Sequence, residues 1–246
     1  MEPDNFDQFN EVELTEEEQK AALLSARQKK FYDNKLAKYS EEVFAEQKYP
    51  KYKPSELYQK VKDAGFIVDD FNKTQIWHLC QYFAGNPKGT LNLRKGIMLY
   101  GPVGCYKTSL MKFFCNNQTN SFVIHNVLDI ASEFRINGDE ALLKYKGLID
   151  STDTVRTFGQ DKLGICFDDF GTENKDSKFY GNESNILSVI IQSRHMSHYN
   201  LIGKTHFTTN INVKTILERY GDRVKSRLRE MVNLVEFPDD SPDRRK

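Results

Sequence analysis

Residues Gly101-Pro-Val-Gly-Cys-Tyr-Lys-Thr108 set a lysine and a hydroxyl at the end of a glycine-bearing turn. This is close to the pattern GxxxxGK[ST], in which successive backbone N–H groups and a helix N-terminus surround a phosphate, the lysine adds a mobile positive charge and the hydroxyl ligates magnesium. Gly101, Pro102, Val103, Gly104, Cys105, Tyr106, Lys107 and Thr108 are therefore candidate nucleotide-binding residues, with ATP and Mg2+ the expected ligands and Thr108 a candidate metal ligand. One position departs from the pattern: Tyr106 stands where glycine belongs. A side chain there costs about 1–2 kcal/mol if the backbone is left-handed, and its β-carbon can crowd the phosphates. Two outcomes stay open, a ring turned to solvent or onto a base, or the loss of tight ATP binding.

Further along, the run LGICFDDFG is mostly apolar and ends in two carboxylates. Asp168, at the end of an expected strand, is placed to hold magnesium, usually through water. Asp169 is a candidate general base that orients or deprotonates an attacking water. The run THFTTN ends in Asn210, whose amide can hydrogen-bond both a γ-phosphate and that water, and which reads equally as a turn residue and helix cap. GDRVKSRLREM gathers Arg223, Lys225, Arg227 and Arg229 after a glycine. Arg227 is the first candidate for an arginine finger reaching a neighbouring subunit's nucleotide, and Arg223 the second; a solvated basic helix face is the alternative.

These residues need elements to hold them. From Gly96 onward the sequence alternates short apolar runs (GIMLY, SFVIHN, LGICFDD, KTHFTTN, VNLVEF) with helical patterns over Lys107 to Cys115, VLDIASEFRI, EALLKYKGLI, Ser184 to about Tyr199, and Val213 to Met231. Continuous apolar strands alternating with helices predict an α/β domain with a mainly parallel, five-stranded sheet between helical layers. Upstream, the chain is polar and helix-like. Thr15 with Glu18 fits a capping box, and Ser55 is placed to cap a helix over SELYQKVKDAG. The expected organisation is a helical N-terminal module over 1–90, to which the resemblance given below assigns partner binding, and an ATPase domain over 91–246.

Lysine plus arginine equals aspartate plus glutamate at 35 each, so no overall field attracts nucleic acid or an anionic membrane and any such contact must be local. The four cysteines are single and without CxxC pairs, and read as reduced, mostly buried thiols. No apolar run spans a bilayer, and the acidic start is unlike a secretory or transit signal, so a cytoplasmic protein without membrane contact is expected. His195 and His198 lie three apart but without a nearby third ligand, which favours a structural role. Trp77, Tyr82 and Phe83 fall at helical spacing and are expected to pack the N-terminal module against the sheet.

The ordered set GPVGCYKT, ICFDDFG, THFTTN and GDRVKSRL resembles the AAA+ ATPases of the DnaC/DnaI helicase-loader group and the related IstB-type transposition ATPases. The resemblance covers roughly residues 94 to 246. It implies a P-loop NTPase fold of the ASCE type without a C-terminal helical lid, and a role for Arg244, in the ending VEFPDDSPDRRK, as a nucleotide sensor. It also implies a loader that binds a replicative helicase through its N-terminal module, places it on single-stranded DNA and self-associates through the arginine finger. Arg135, Lys144 and Lys146 are the candidates for DNA contact, with ordinary surface positions the alternative. AAA+ enzymes more often carry glutamate where Asp169 stands, which points to slow turnover. An IstB-like helper of a transposase and a non-hydrolysing scaffold blocked by Tyr106 are the other readings.

Overall fold

The computed structural model describes residues 52–117, 121–147, 164–172, 177–179, 182–197 and 201–245, together with 15, 16, 18–20, 23 and 27. The chain divides into two units, Met1–Gln47 and Lys48–Lys246. In the first, helical positions follow Thr15, whose N–H donates to Glu18 Oε2 at 2.9 Å while the Glu18 N–H donates to Thr15 Oγ1 at 3.4 Å, the expected reciprocal cap.

The second unit opens with α1 (Pro54–Asp63) and α2 (Lys73–Phe83). Ser55 does not cap α1: Pro54 occupies its first turn, where a missing N–H costs nothing, and Glu56 reaches back to the Lys53 N–H at 2.8 Å. Leu57, Val61, Ile76, Leu79, Cys80, Tyr82 and Phe83 are buried in one cluster with Ile97 and Leu99 of the sheet. The chain therefore divides well before residue 90, because the apolar stripes of α1 and α2 are covered by the sheet itself. Phe83 stacks on Phe114 with centroids 4.7 Å apart, and the Tyr82 hydroxyl donates to Lys95 O at 2.7 Å. Trp77 turns outward, 38% exposed, against Tyr58.

The strands are β1 (Gly96–Tyr100), β2 (Phe122–Asn126), β3 (Gly164–Phe170), a short antiparallel pair β4 (Ser177–Phe179) and β5 (Asn182–Ser184), β6 (Thr205–Thr209) and β7 (Val232–Glu236). The β4–β5 hairpin has no apolar alternation to announce it in the sequence. The other five pair in parallel in the order β2-β3-β6-β1-β7. Between them run α3 (Lys107–Phe114), α4 (Val127–Asn137), α5 (Asp139–Lys146), α6 (Ile186–Met196) and α7 (Val213–Met231), the last kinked at Gly221, which has φ 79° and ψ 173°.

Both sheet faces are covered, which explains strands that read as unbroken apolar runs. Ile97, Leu99 and Cys166 point into the cluster with α1, α2 and α3, while Met98, Phe167 and Phe207 point into one with α4 to α7. Each fully buried Leu, Ile or Phe contributes about 1.5–3 kcal/mol to holding these layers. The most deeply buried arginine among the described residues ties the layers together: the Arg194 side chain donates from Nε to Thr205 Oγ1 at 2.8 Å, from Nη1 to Tyr145 O at 3.1 Å and from Nη2 to Lys204 O at 3.1 Å, joining α5, α6 and β6. His195, on the same helix, pairs with Glu230 of α7 at 2.7 Å, the structural role expected of it; His198 lies outside the described residues. Among the described residues no helix is long and apolar enough to cross a membrane. This is an α/β fold with a parallel five-stranded sheet, in which β6, the next strand of that sheet after β3, is inserted between β3 and β1.

Candidate nucleotide-binding site

A cleft of about 280 Å³ opens where the strands end, lined by Val103, Gly104, Tyr106, Lys107, Thr108, Ser109, Asp169, Asn210, Arg244 and Arg245. Parallel strands bring their C-terminal ends to one edge, and this is where open α/β sheets bind ligands. The phosphate loop leaves β1 and enters α3, so the free N–H groups of that helix face the cleft.

Tyr106 adopts the left-handed conformation, φ 72° and ψ 9°, as the residue that caps α3. The backbone thus takes the turn that glycine serves in the pattern, at a cost of about 1–2 kcal/mol for a side-chain-bearing residue. The ring belongs to a partly exposed residue that lines the cleft. It meets Phe66 edge-on at 5.2 Å and lies beneath the Arg244 guanidinium, whose carbon is 5.5 Å from the ring centroid.

Lys107 Nζ turns back onto the loop, donating to Gly101 O at 2.9 Å and Pro102 O at 2.7 Å, and Cys105 Sγ lies 3.7 Å away. Burial lowers its pKa, with the Cys105 thiol and the two aspartates opposing that shift. Burial likewise raises the Cys105 thiol, so this cysteine packs rather than reacts. Gly104 has φ 85°, and a β-carbon there would collide with the Asp243 carboxylate, so glycine is required twice over. Val103 is half exposed at the rim.

The two aspartates at the end of β3 occupy different surroundings. Asp168 Oδ1 accepts from Thr108 Oγ1 at 2.8 Å and from Thr208 Oγ1 at 2.6 Å. A buried carboxylate beside a helix-start hydroxyl supplies the hard oxygen ligands that Mg2+ takes, and the donor set fits that ion. Asp169 follows in the left-handed region, φ 58°, where the β3–β6 register shifts between Phe167 and Phe170. Its N–H donates to Thr208 Oγ1 at 2.9 Å and its Oδ2 accepts from Asn126 Nδ2 at 3.3 Å. Burial and the neighbouring Asp168 raise its pKa, while Asn126 and Lys107 pull the other way. It lines the cleft.

Asn210 is exposed just past β6 and lines the same cleft. It is not the cap of the next helix; Asn212 is, accepting the Thr215 N–H at 2.9 Å. Arg244 reaches the cleft from the chain's last described stretch, its N–H donating to Gly104 O at 3.1 Å and Nη2 to both Asp69 oxygens at 2.9 and 2.7 Å. Arg223 and Arg227 lie beyond the α7 kink, exposed and half-buried respectively, and neither lines the cleft. Of the residues considered for DNA, Lys144 pairs with Glu133 at 2.7 Å, Lys146 with Asp139 at 3.4 Å, and Arg135 donates to Ser132 Oγ at 2.9 Å.

Thr208, Asn126, Asp69 and Arg245 were not singled out by sequence. Two carried a signal: Asn126 closes β2 as Asp168 nears the close of β3, and Thr208 sits two residues before Asn210, on the same side of its strand path. Asp69 lies in an ordinary loop, and nothing in its neighbours marks it.

No protein-family model matches the chain, and no curated protein matches it. Among solved structures, the AMPPCP-bound DnaA from Aquifex aeolicus is 20% identical with a TM-score of 0.45, over 80% of this chain and 53% of that one. The crystal structure of the DnaC helicase loader is 18% identical with a TM-score of 0.48, over 74% of this chain and 98% of that one, and it is to this loader and to DnaA that the chain is similar in fold.

Proposed function

We propose that the chain binds and slowly hydrolyses ATP in a magnesium-dependent way, and that it acts in DNA replication as a loader of a hexameric helicase. The observation that carries the nucleotide reading is the 2.8 Å contact between Thr108 Oγ1 and Asp168 Oδ1, beside a lysine at a helix start and a cleft that also takes in Asp169 and Asn210. In this reading Thr108 and Asp168 would hold a magnesium ion, which would supply positive charge against the charge that develops on the phosphates. Lys107 leaves the carbonyls of Gly101 and Pro102 for phosphate oxygens, Asn210 fixes the attacking water and Asp169 accepts its proton. Arg227 of a neighbouring copy completes the charge balance, so assembly and turnover are linked.

The loader role rests on the ordered motifs rather than on any one contact, and it assigns helicase binding to the N-terminal residues. The test is calorimetry of ATP with and without Mg2+ on the full chain, alongside Lys107→Ala and Asp168→Asn, followed by phosphate release with single-stranded DNA and size analysis of Arg227→Ala. A wild type that binds no Mg-ATP overturns the nucleotide reading; binding without any gain from DNA or a helicase overturns the loader reading alone. A non-hydrolysing scaffold is the second reading, favoured by the way loop carbonyls already satisfy Lys107. Failure of the wild type to bind Mg-ATP, with binding gained in Tyr106→Gly, would establish it, and tight Mg-ATP binding by the wild type would reject it.

A further inference from the structure

We propose that Tyr106 is a positioning residue, its ring holding the Arg244 guanidinium at the nucleotide cleft; this rests on the nucleotide reading above. The residue breaks the phosphate-loop pattern, yet its ring is fully employed. Phe66 meets it edge-on at 5.2 Å and meets Phe113 of α3 at 5.8 Å, so the ring is wedged between the α1–α2 connection and the helix that starts the cleft. On it rests the guanidinium carbon of Arg244 at 5.5 Å, within the range of cation–π attraction.

Arg244 itself is held in an unfinished way. Its side chain is only 3% exposed. Nη2 is satisfied by Asp69, Nη1 by Pro242 O at 3.2 Å, and the backbone N–H by Gly104 O. Nε is buried without a hydrogen-bond partner among the described residues, though the residue lines the cleft. A buried charged donor left unmade is costly, and the acceptor that completes it at a phosphate loop is a phosphate oxygen. Asp69 fixes one end of the guanidinium and the Tyr106 face fixes its plane, which leaves Nε for the ligand.

Glycine at 106 would suit the left-handed backbone and remove that face, leaving the guanidinium held only by its hydrogen bonds to Asp69 and Pro242 O. The tyrosine therefore trades local backbone strain for orientation of a cation that glycine cannot orient. It also joins the phosphate loop to the chain's last described stretch, since Tyr106 and Gly104 both touch Arg244.

The experiment is Mg-ATP calorimetry on the full chain in a double-mutant cycle. Arg244→Ala is expected to weaken binding about tenfold or more in the wild-type background, the scale of a lost charge-assisted hydrogen bond. In Tyr106→Leu, which keeps bulk against Phe66 without a π face, and in Tyr106→Gly, the same substitution is expected to cost under about threefold, while Tyr106→Phe restores the full effect. Urea unfolding of each variant confirms that it folds, and Tyr106→Phe and Tyr106→Leu carry the comparison if the glycine variant does not. Equal loss from Arg244→Ala in all four backgrounds overturns the proposal while leaving the nucleotide reading intact. A wild type that binds no Mg-ATP overturns both.

Discussion

The Thr208 hydroxyl donates to Asp168 Oδ1 at 2.6 Å and in the same stroke accepts the Asp169 N–H at 2.9 Å, so one buried side chain of β6 fixes the Asp168 carboxylate and the backbone of Asp169. Thr208→Val keeps the shape and removes both bonds. Half-saturating Mg2+ for ATP binding is expected to rise about tenfold, with unfolding free energy lower by about 1–3 kcal/mol for the orphaned N–H. Thr208→Ser should restore the magnesium requirement. A magnesium titration that does not separate valine from serine would show that Thr208 only fills space.

Asp169 ionises with difficulty, because burial and then Asp168 push its carboxyl up. The ionised form is the one that accepts a proton, so hydrolysis is expected to fall on the acid side, at a pH above the ordinary aspartate value of 3.8. Asp169→Asn should cut turnover by about a hundredfold or more, leave Mg-ATP affinity nearly unchanged and abolish that acid limb. The pH profile of kcat for the two proteins decides it.

His206 is fully buried on β6, with Nδ1 accepting the Ile97 N–H at 3.0 Å, and burial pulls its pKa down to about 3. The unfolded chain protonates near 6.5 while the folded one resists, so stability present above pH 6.5 is lost as pH falls from there towards 3. The expected slope from this group is at most about 1.4 kcal/mol per pH unit. Urea unfolding at pH 7 and pH 5 should show a smaller difference for His206→Gln than for wild type. Parallel behaviour of the two would mean that another group carries the acid sensitivity.

Arg194 is buried on α6, and burial lowers its pKa to about 9. Arg194→Met fits the volume but strips donors from Tyr145 O, Lys204 O and Thr205 Oγ1. A loss of about 2–4 kcal/mol is expected, the unmet acceptors outweighing relief of the buried charge. Mg-ATP affinity should hold, since Arg194 does not line the cleft. Unfolding and calorimetry on one sample test both halves.

The strands and the phosphate loop were legible because each depends on a local pattern: five apolar runs match the five parallel strands, and the loop lies between a strand and a helix as GPVGCYKT requires. Asp168 and Asn210 were legible as polar residues at strand ends. The extent of the sheet unit was not, since the polar surface of α1 and α2 hides the stripe from Leu57 to Phe83 that the sheet covers. Nor was the orientation of the Tyr106 ring, which is decided by Phe66 and Arg244, forty residues before it and well over a hundred after. Contacts that distant leave no period in the sequence.

The insertion of β6 between β1 and β3 also governs when the protein can first work. Among the described residues β1 pairs with β6 and β7, and β3 with β2 and β6, so until residues 205–209 arrive no strand links the lysine's strand to that of the aspartates. A nascent chain that has emerged from the ribosome through residue 200 holds the whole phosphate loop and both aspartates but not the strand that joins β1 to β3 in the sheet. Ligand capture should then appear abruptly during synthesis, as a single late strand slots home.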